Sequence, residues 1–521
     1  MSLTSSPTDL DSGAVSGGHT RTPEGPTVHH GAVTAVVCIA LGAVTAAMSS
    51  LNVAIPDIAR STHATQTQLS WIIDAYSLVF AALLLPAGAL GDRFGRRRAL
   101  LVGLSIFALG SIAAMTASSA HTLIALRAVI GLGAALIMPA TLSTITGTFP
   151  PARRVKAVST WAGVAGAAAV VGVLVSGTLL DFFSWRSVFA VNIVLATAAL
   201  VGTVRIVPES ADPDAPRLDL AGACLSIAGL VVLVYSIIEA PTVGWLGART
   251  LGGIALGLVV LGPFVVVELR QQRPMLDPRI FRRRRLSAGT LSIFVQFFGF
   301  YGFIFLILQY LQIVRHDSAL VAAVSMLPMA VAMMPTSRMA PRLADRFSAR
   351  RVCVAGLVLI ATAFVVIAQV GRETDYWVPA VGLLVLGAGM GAAMTPATSA
   401  ITAALPRGHQ GVASAMNDLA RELGGALGIA VLGSVVAATY RAHLDVSSLP
   451  TGEASAVRDS FAAAAHLGGP VGGNADAAFV DGVHLALHVA AVVAVLAAIA
   501  AAALLPRHDD AVAGSEEGAR A

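Results

Sequence analysis

Gly88-Ala89-Leu90-Gly91-Asp92-Arg93-Phe94-Gly95-Arg96-Arg97-Arg98 is answered further along the chain by Pro341-Arg342-Leu343-Ala344-Asp345-Arg346-Phe347-Ser348-Ala349-Arg350-Arg351. The two stretches stand 253 positions apart, and each separates one long apolar run from the next. A charged turn between two membrane helices therefore occurs twice, as expected of a duplicated bundle of the kind that builds many secondary transporters. A second echo, Met138-Pro139-Ala140-Thr141 against Thr395-Pro396-Ala397-Thr398, has an offset of 257. Six duplicated spans of about 20 residues with short loops would give an offset of roughly 190 to 200. The surplus leaves room for two additional spans between the halves.

Composition places the chain in a membrane independently of these motifs. Hydrophobic residues make up 56%, charged residues 12%, and mean hydropathy is +0.79, too little charge to clothe a soluble protein of this length. The net charge of +5 is carried in short turns between apolar segments, which signals topology and not a nucleic-acid face. Cys38, Cys224 and Cys353 lie in apolar stretches and read as small hydrophobes, without disulfide or metal-ligand spacing.

Apolar windows fall at about 32–56, 71–90, 99–118, 122–147, 157–180, 186–206, 218–239, 249–269, 287–313, 318–340, 352–371, 377–404, 411–438 and 482–505. The expected fold is an all-α integral membrane protein with fourteen transmembrane helices. Residues 1–30 are expected as a disordered cytoplasmic tail, 31–206 and 287–505 as six-helix halves, and 207–286 as a linker holding two extra helices and a basic loop. A long outer loop is expected at about 439–481, and 506–521 as a second cytoplasmic tail. Arginine clusters fall on alternate loops: Arg93 and Arg96 to Arg98, Arg153 and Arg154, Arg282 to Arg285, and Arg342 to Arg351. Cytoplasmic loops retain positive charge, so both termini are expected inside, in the cell membrane.

No phosphate-cradling loop is present, because the one lysine, Lys156, follows Val155 and lacks the glycine such a loop needs. The expected energy source is a proton gradient, with no cofactor, no metal, no nucleic acid and no ATPase partner; one charge crossing the field is worth roughly 2.3 kcal/mol per 100 mV. Coupling then requires ionisable groups inside the membrane. Asp74 lies in the second apolar run, and Arg127 interrupts the fourth, where a guanidinium needs a partner or a wet cavity. The thirteenth holds Asn417, Asp418, Arg421 and Glu422, followed by only the 16 apolar residues Leu423 to Ala438. That is too few to span alone, so the polar segment enters the membrane or its boundary. Asp418 and Glu422 share a helix face, and two carboxylates in low dielectric resist joint ionisation, as a proton carrier requires. Plainer structural readings are a polar helix end paired through Arg421, and for Asp74 an interface charge beside Trp71 and Tyr76.

The ninth run is rich in aromatics, including Phe297 and Tyr301, and carries Gln309. With Tyr76 and Asn417 these are candidates for a cavity suited to flat, lipophilic and cationic molecules; aromatic packing against lipid is the plain alternative.

Along nearly all of residues 31–505 the chain resembles the fourteen-span drug:proton antiporters of the major facilitator superfamily. Trp71 to Leu78 followed by Gly88 to Arg98 is similar to the family's second span and gate motif, Arg127 through Pro139 to its fourth-span motif, and Gly411 to Ser434 to its thirteenth span. The resemblance implies export of drug-like small molecules in exchange for protons, through Asp74, Arg127, Asp418 and Glu422. It also implies a gate of Gly88, Asp92, Arg93, Gly95, Arg96 and Arg97, echoed at Asp345 and Arg346, with Asp92 at the start of the thirteenth helix. Three departures stand out: Ala47 replaces a first-span acid, and Ala168, Val173 and Ser176 replace residues of the fifth-span motif, which keeps Gly172 and Gly177. Two other functions fit less well, a dedicated exporter of one host metabolite and a non-transporting receptor or scaffold.

Overall fold

The computed structural model describes residues 30–505 except 63, 65, 212–218, 272, 273, 275, 372, 373, 406–408, 448, 451–453, 455, 456 and 459–468. Apart from His30, both expected tails lie outside the described residues, which form helices and no strands. The first half comprises α1 (His30–Thr62), α2 (Gln66–Phe94), α3 (Arg96–Met115), α4 (Ala120–Thr148), α5 (Pro151–Phe182) and α6 (Ser187–Ile206). A hairpin of α7 (Leu220–Val243) and α8 (Ala248–Arg270) follows. The second half comprises α9 (Arg284–Gln309), α10 (Leu327–Phe347), α11 (Ala349–Ile367), α12 (Trp377–Ala403), α13 (Gln410–His443) and α14 (Gly469–Leu504). A short helix, Ala319–Val324, leads into α10 and completes its crossing. Among the described residues, 14 long helices are apolar enough to span a bilayer.

The final helix starts at Gly469, earlier than the apolar window at 482, so the loop before it is shorter than expected. Asn474, Asp476 and Asp481 dilute the hydropathy there, while Ala475, Ala478 and Phe479 are buried and hold the turn in the helix.

The duplication is written into the helix crossings. Gly103 of α3 and Gly133 of α4 meet backbone to backbone, and a Cβ on Gly133 would stand 2.9 Å from the Gly103 carbonyl oxygen. Gly356 of α11 and Gly389 of α12 repeat this, with a Cβ on Gly389 standing 2.7 Å from the Gly356 oxygen. Small residues at such contacts let backbones touch, the main source of helix attraction in lipid. The turn after α2 repeats too: Gly95 has φ +108°, and Ser348, its counterpart after α10, has φ +91°.

The halves meet where α2 and α4 pack on α13, and where α5 packs on α10 and α12. The hairpin sits outside this seam, with α7 against both α2 and α13. Only 17% of the central window of α8 is buried, and Leu256, Leu258 and Val259 are exposed, the pattern of a helix facing lipid. Trp245, after α7, donates from Nε1 to the Ser434 hydroxyl of α13 at 2.7 Å, tying the hairpin to the second half.

The fifth-span departures lie at the α1/α5 contact. Gly172 keeps its close approach, since a Cβ there would stand 2.7 Å from the Ala46 Cα. Ser176 donates to the Ser50 carbonyl at 2.8 Å, a cross-helix bond that glycine could not make. Ala47 is buried in the apolar core.

Candidate functional site

At one end of the bundle α2 stops at Phe94, because Gly95 adopts its positive φ, and α3 begins at once with Arg96. One turn before the break, the Asp92 carboxylate is 3% exposed and points across the seam. It accepts the Gly411 amide at 2.8 and 2.7 Å, and the Val412 amide at 3.2 Å. These are free N–H groups of the first turn of α13, where a carboxylate also meets the positive end of the helix dipole. The Arg96 guanidinium donates to the same carboxylate at 2.8 Å. Gly88, one turn earlier, lets the helices close, since a Cβ there would stand 2.5 Å from the Gly411 oxygen.

The neighbouring arginines fasten the turn to the first half. Arg97 donates from Nη2 to the Val204 carbonyl of α6 at 2.7 Å, and its amide donates to Glu209 at 3.3 Å. Arg98 faces Glu209 at 3.7 Å. Arg93 lies 5.6 Å over the Phe94 ring. Glu209, in the expected linker, thus accepts an amide at the start of α3.

The second copy of the motif is placed differently. Asp345 and Arg346 are exposed, and Arg346 lies over the Phe347 ring at 5.3 Å. One substitution accounts for the asymmetry. Pro341 stands where the first copy has Gly88, so α10 lacks the glycine that permits backbone contact.

Within the span, Arg127 of α4 is 1% exposed. Its Nε donates to the Ile72 carbonyl at 3.0 Å, and its guanidinium carbon lies 4.3 Å over the Tyr76 ring. Tyr76 is pinned in turn by donating to the Val44 carbonyl at 3.2 Å. Asp74 is half-buried on α2 and lies in the field of both Arg127 and Glu239 of α7. Trp71 and Tyr235 stack at 5.6 Å one turn from these two acids. The hairpin therefore brings an acid to the first-half cluster. Glu239 escaped sequence reading because it sits close to the end of α7, where a charge ordinarily marks an interface.

Asn417, Asp418, Arg421 and Glu422 are all buried on α13. Asn417 accepts from Thr398 at 3.1 Å, and Arg421 pairs with Asp418 at 3.5 Å. The Arg421 guanidinium lies 4.6 Å over Phe297 of α9 and 5.8 Å over Trp161 of α5. Glu422 lies in electrostatic range of Tyr76 and Tyr301, one from each half. The two clusters thus approach each other across the seam through Tyr76 and Glu422. Gln309 stands apart, returning its amide to the Phe305 carbonyl at 3.1 Å.

A two-half helical bundle with ionisable groups along its seam defines a class, the secondary transporters that work by moving two halves about a central site. The chain belongs to the Major Facilitator Superfamily, whose family description matches residues 37–429, which makes it a membrane transporter and not an enzyme. It is 36% identical over 427 residues to the multidrug efflux pump LfrA of Mycolicibacterium smegmatis, covering 82% of this chain and 84% of that one. It is 37% identical over 405 residues to the methyl viologen resistance protein SmvA of Salmonella typhimurium, covering 77% and 81%. In fold it resembles the human organic anion transporter MFSD10, with TM-score 0.63 and 16% identity over 92% of this chain and all of that one.

Proposed function

We propose that this protein exports small lipophilic compounds, organic cations among them, in exchange for protons, by alternating access between the halves 31–206 and 287–505. The observation that carries this reading is the burial of Asp418 and Glu422 in α13 at the seam, with Glu422 in electrostatic range of Tyr76 of the other half. Buried acids are costly in a membrane and mark ion pathways by default. The drug-resistance and efflux roles named for the relatives support a drug-like cargo. Asp92 serves as the latch of one end, and arginine-rich loops orient that end toward the cytoplasm of the cell membrane.

In this reading protons load Asp418 and Glu422 from one side and Asp74 with Arg127 gates their passage. Cargo and proton use the same charged seam, so each favours the release of the other. The test uses purified protein in vesicles with an imposed pH difference. Asp418→Asn combined with Glu422→Gln is expected to abolish drug-stimulated proton movement; unchanged exchange overturns the assignment.

A further inference from the structure

Arg421 is an oddly housed charge. Its side chain is 1% exposed, yet its ion pair with Asp418 is long, at 3.5 Å. Among the described residues neither Arg421 Nε nor Asp418 Oδ2 has a hydrogen-bond partner, an arrangement that buried charges rarely tolerate. What does surround the guanidinium is aromatic: the Phe297 and Trp161 rings, with Tyr301 beside them. Ring faces closed by a carboxylate are how proteins hold organic cations.

The walls are fixed independently of Arg421. Trp161 is fully buried and donates from Nε1 to the Thr141 hydroxyl of α4 at 3.0 Å. Phe297 packs against Phe300 and Tyr301 with ring centres 5.9 and 5.7 Å apart. The cage would therefore persist if the guanidinium left. One wall belongs to the first half and the other, with both acids, to the second, so movement of the halves opens and closes it.

We propose that Trp161, Phe297, Asp418 and Glu422 form the binding site for an aromatic organic cation, and that Arg421 is its tethered occupant, displaced when cargo enters. This rests on the reading above that the cargo includes organic cations, and it names where they bind. An internal competitor of this kind lowers affinity for cargo, because binding must first expel the resident cation. It also prevents the acids from standing unpaired when cargo has left.

The test is equilibrium binding of tetraphenylphosphonium to the purified full-length protein by calorimetry, with no gradient. Arg421→Gln is expected to tighten Kd about tenfold, and Arg421→Lys less, since it keeps the charge but loses the planar stack. Unchanged or weaker binding by a monodisperse Arg421→Gln overturns the proposal. If that variant does not fold, Phe297→Leu decides: Kd weakened about tenfold supports the cage, and unchanged Kd overturns it. Vesicles distinguish this from failure of the transport reading. If wild-type vesicles export tetraphenylphosphonium on a proton gradient while Arg421→Gln binds no tighter, the cage is wrong and transport stands. If wild type exports none of a panel of dyes and cations, the transport reading fails whatever the affinities.

Discussion

Asp92 and Gly411 lie 319 positions apart in sequence, yet the carboxylate of one accepts the backbone N–H of the other with both oxygens, at 2.8 and 2.7 Å. This contact joins the two halves at one end of the bundle and is made of a side chain on one side and helix backbone on the other. Any residue but proline supplies the amide donors, so the acid is the side chain on which the contact is most directly tested. Asp92→Asn keeps the size of the side chain but loses the charge and one acceptor. Hydrogen bonds to a charged group are worth about 1.5–3 kcal/mol, so the closed population should fall about tenfold or more. Distance distributions between spin labels on α2 and α13 should broaden, and efflux should fall in proportion; an unchanged distribution refutes the latch.

The second copy of the motif should matter less. Asp345 is exposed, and Pro341 stands where Gly88 allows contact. Asp345→Asn is expected to leave efflux within about twofold of wild type, as is usual for surface changes of this kind. Gly88→Ala, by contrast, drives a Cβ into the Gly411 carbonyl and should reproduce the defect of Asp92→Asn. Equal losses from Asp345→Asn and Asp92→Asn in the same dye-efflux assay would show that the two gates are equivalent.

These contrasts define how much was legible in the chain. Fourteen apolar runs, the duplicated turn and the intramembrane charges could all be read, because hydropathy and charge placement are the physics of insertion itself. Asp92 meeting the start of the thirteenth helix came from the family resemblance, and the geometry bears on it directly through the Gly411 and Val412 amides. Trp161 over Arg421 was not legible, since nothing local to either residue tells which ring will lie across a seam between halves. Glu239, which its position near the end of α7 marks as an interface charge, gains its meaning only from α7 lying against α2. The isolation of Asp345 had a visible sign in Pro341, but only once Gly88 was known to be a backbone contact.

Ser348 offers a test of stability separate from transport. Its φ of +91° is one that glycine adopts freely at the matching Gly95, and that side chains occupy at a cost of about 1–3 kcal/mol. The Ser348 hydroxyl accepts from the Arg351 amide at only 3.4 Å, a weak return. Ser348→Gly should raise the apparent Tm in detergent, and Gly95→Ala should lower it, because the added Cβ also collides with the Glu209 carboxylate. A fall in Tm for Ser348→Gly would show that the cap outweighs the strain.

Arg127 is positioned by a donor and a ring, and the two can be separated. Tyr76→Phe keeps the ring beneath the guanidinium and removes only the bond to the Val44 carbonyl, a loss of about 0.5–1.5 kcal/mol. Efflux should survive with a modest decrease in stability. Arg127→Lys keeps the charge but replaces the planar guanidinium and its Nε donor to Ile72, so the ammonium cannot hold both contacts. Efflux should be lost although the protein still reaches the membrane. Survival of Arg127→Lys with full activity would mean that charge alone suffices at this position.

The acid on α7 gives the hairpin a role that can be measured through its coupling to α2. Asp74 lies in the field of Glu239 and of Arg127 together, so the charge on one acid changes the energy of the other. Mutations at interacting sites are non-additive by about 0.5–3 kcal/mol, whereas independent sites add. A double-mutant cycle of Asp74→Asn and Glu239→Gln, read as initial rates of dye efflux, should therefore depart from additivity by a factor of about two or more. If α7 and α8 were inert fillers between the halves, Glu239→Gln would change nothing alone and nothing in combination. Trp71→Ala then serves as a control on packing: it removes the stack with Tyr235 that holds α7 against α2 while both acids remain. Loss of the non-additivity in that background would show that the coupling depends on the seating of the hairpin, because separating two charges in a medium of intermediate dielectric weakens their interaction in inverse proportion to distance.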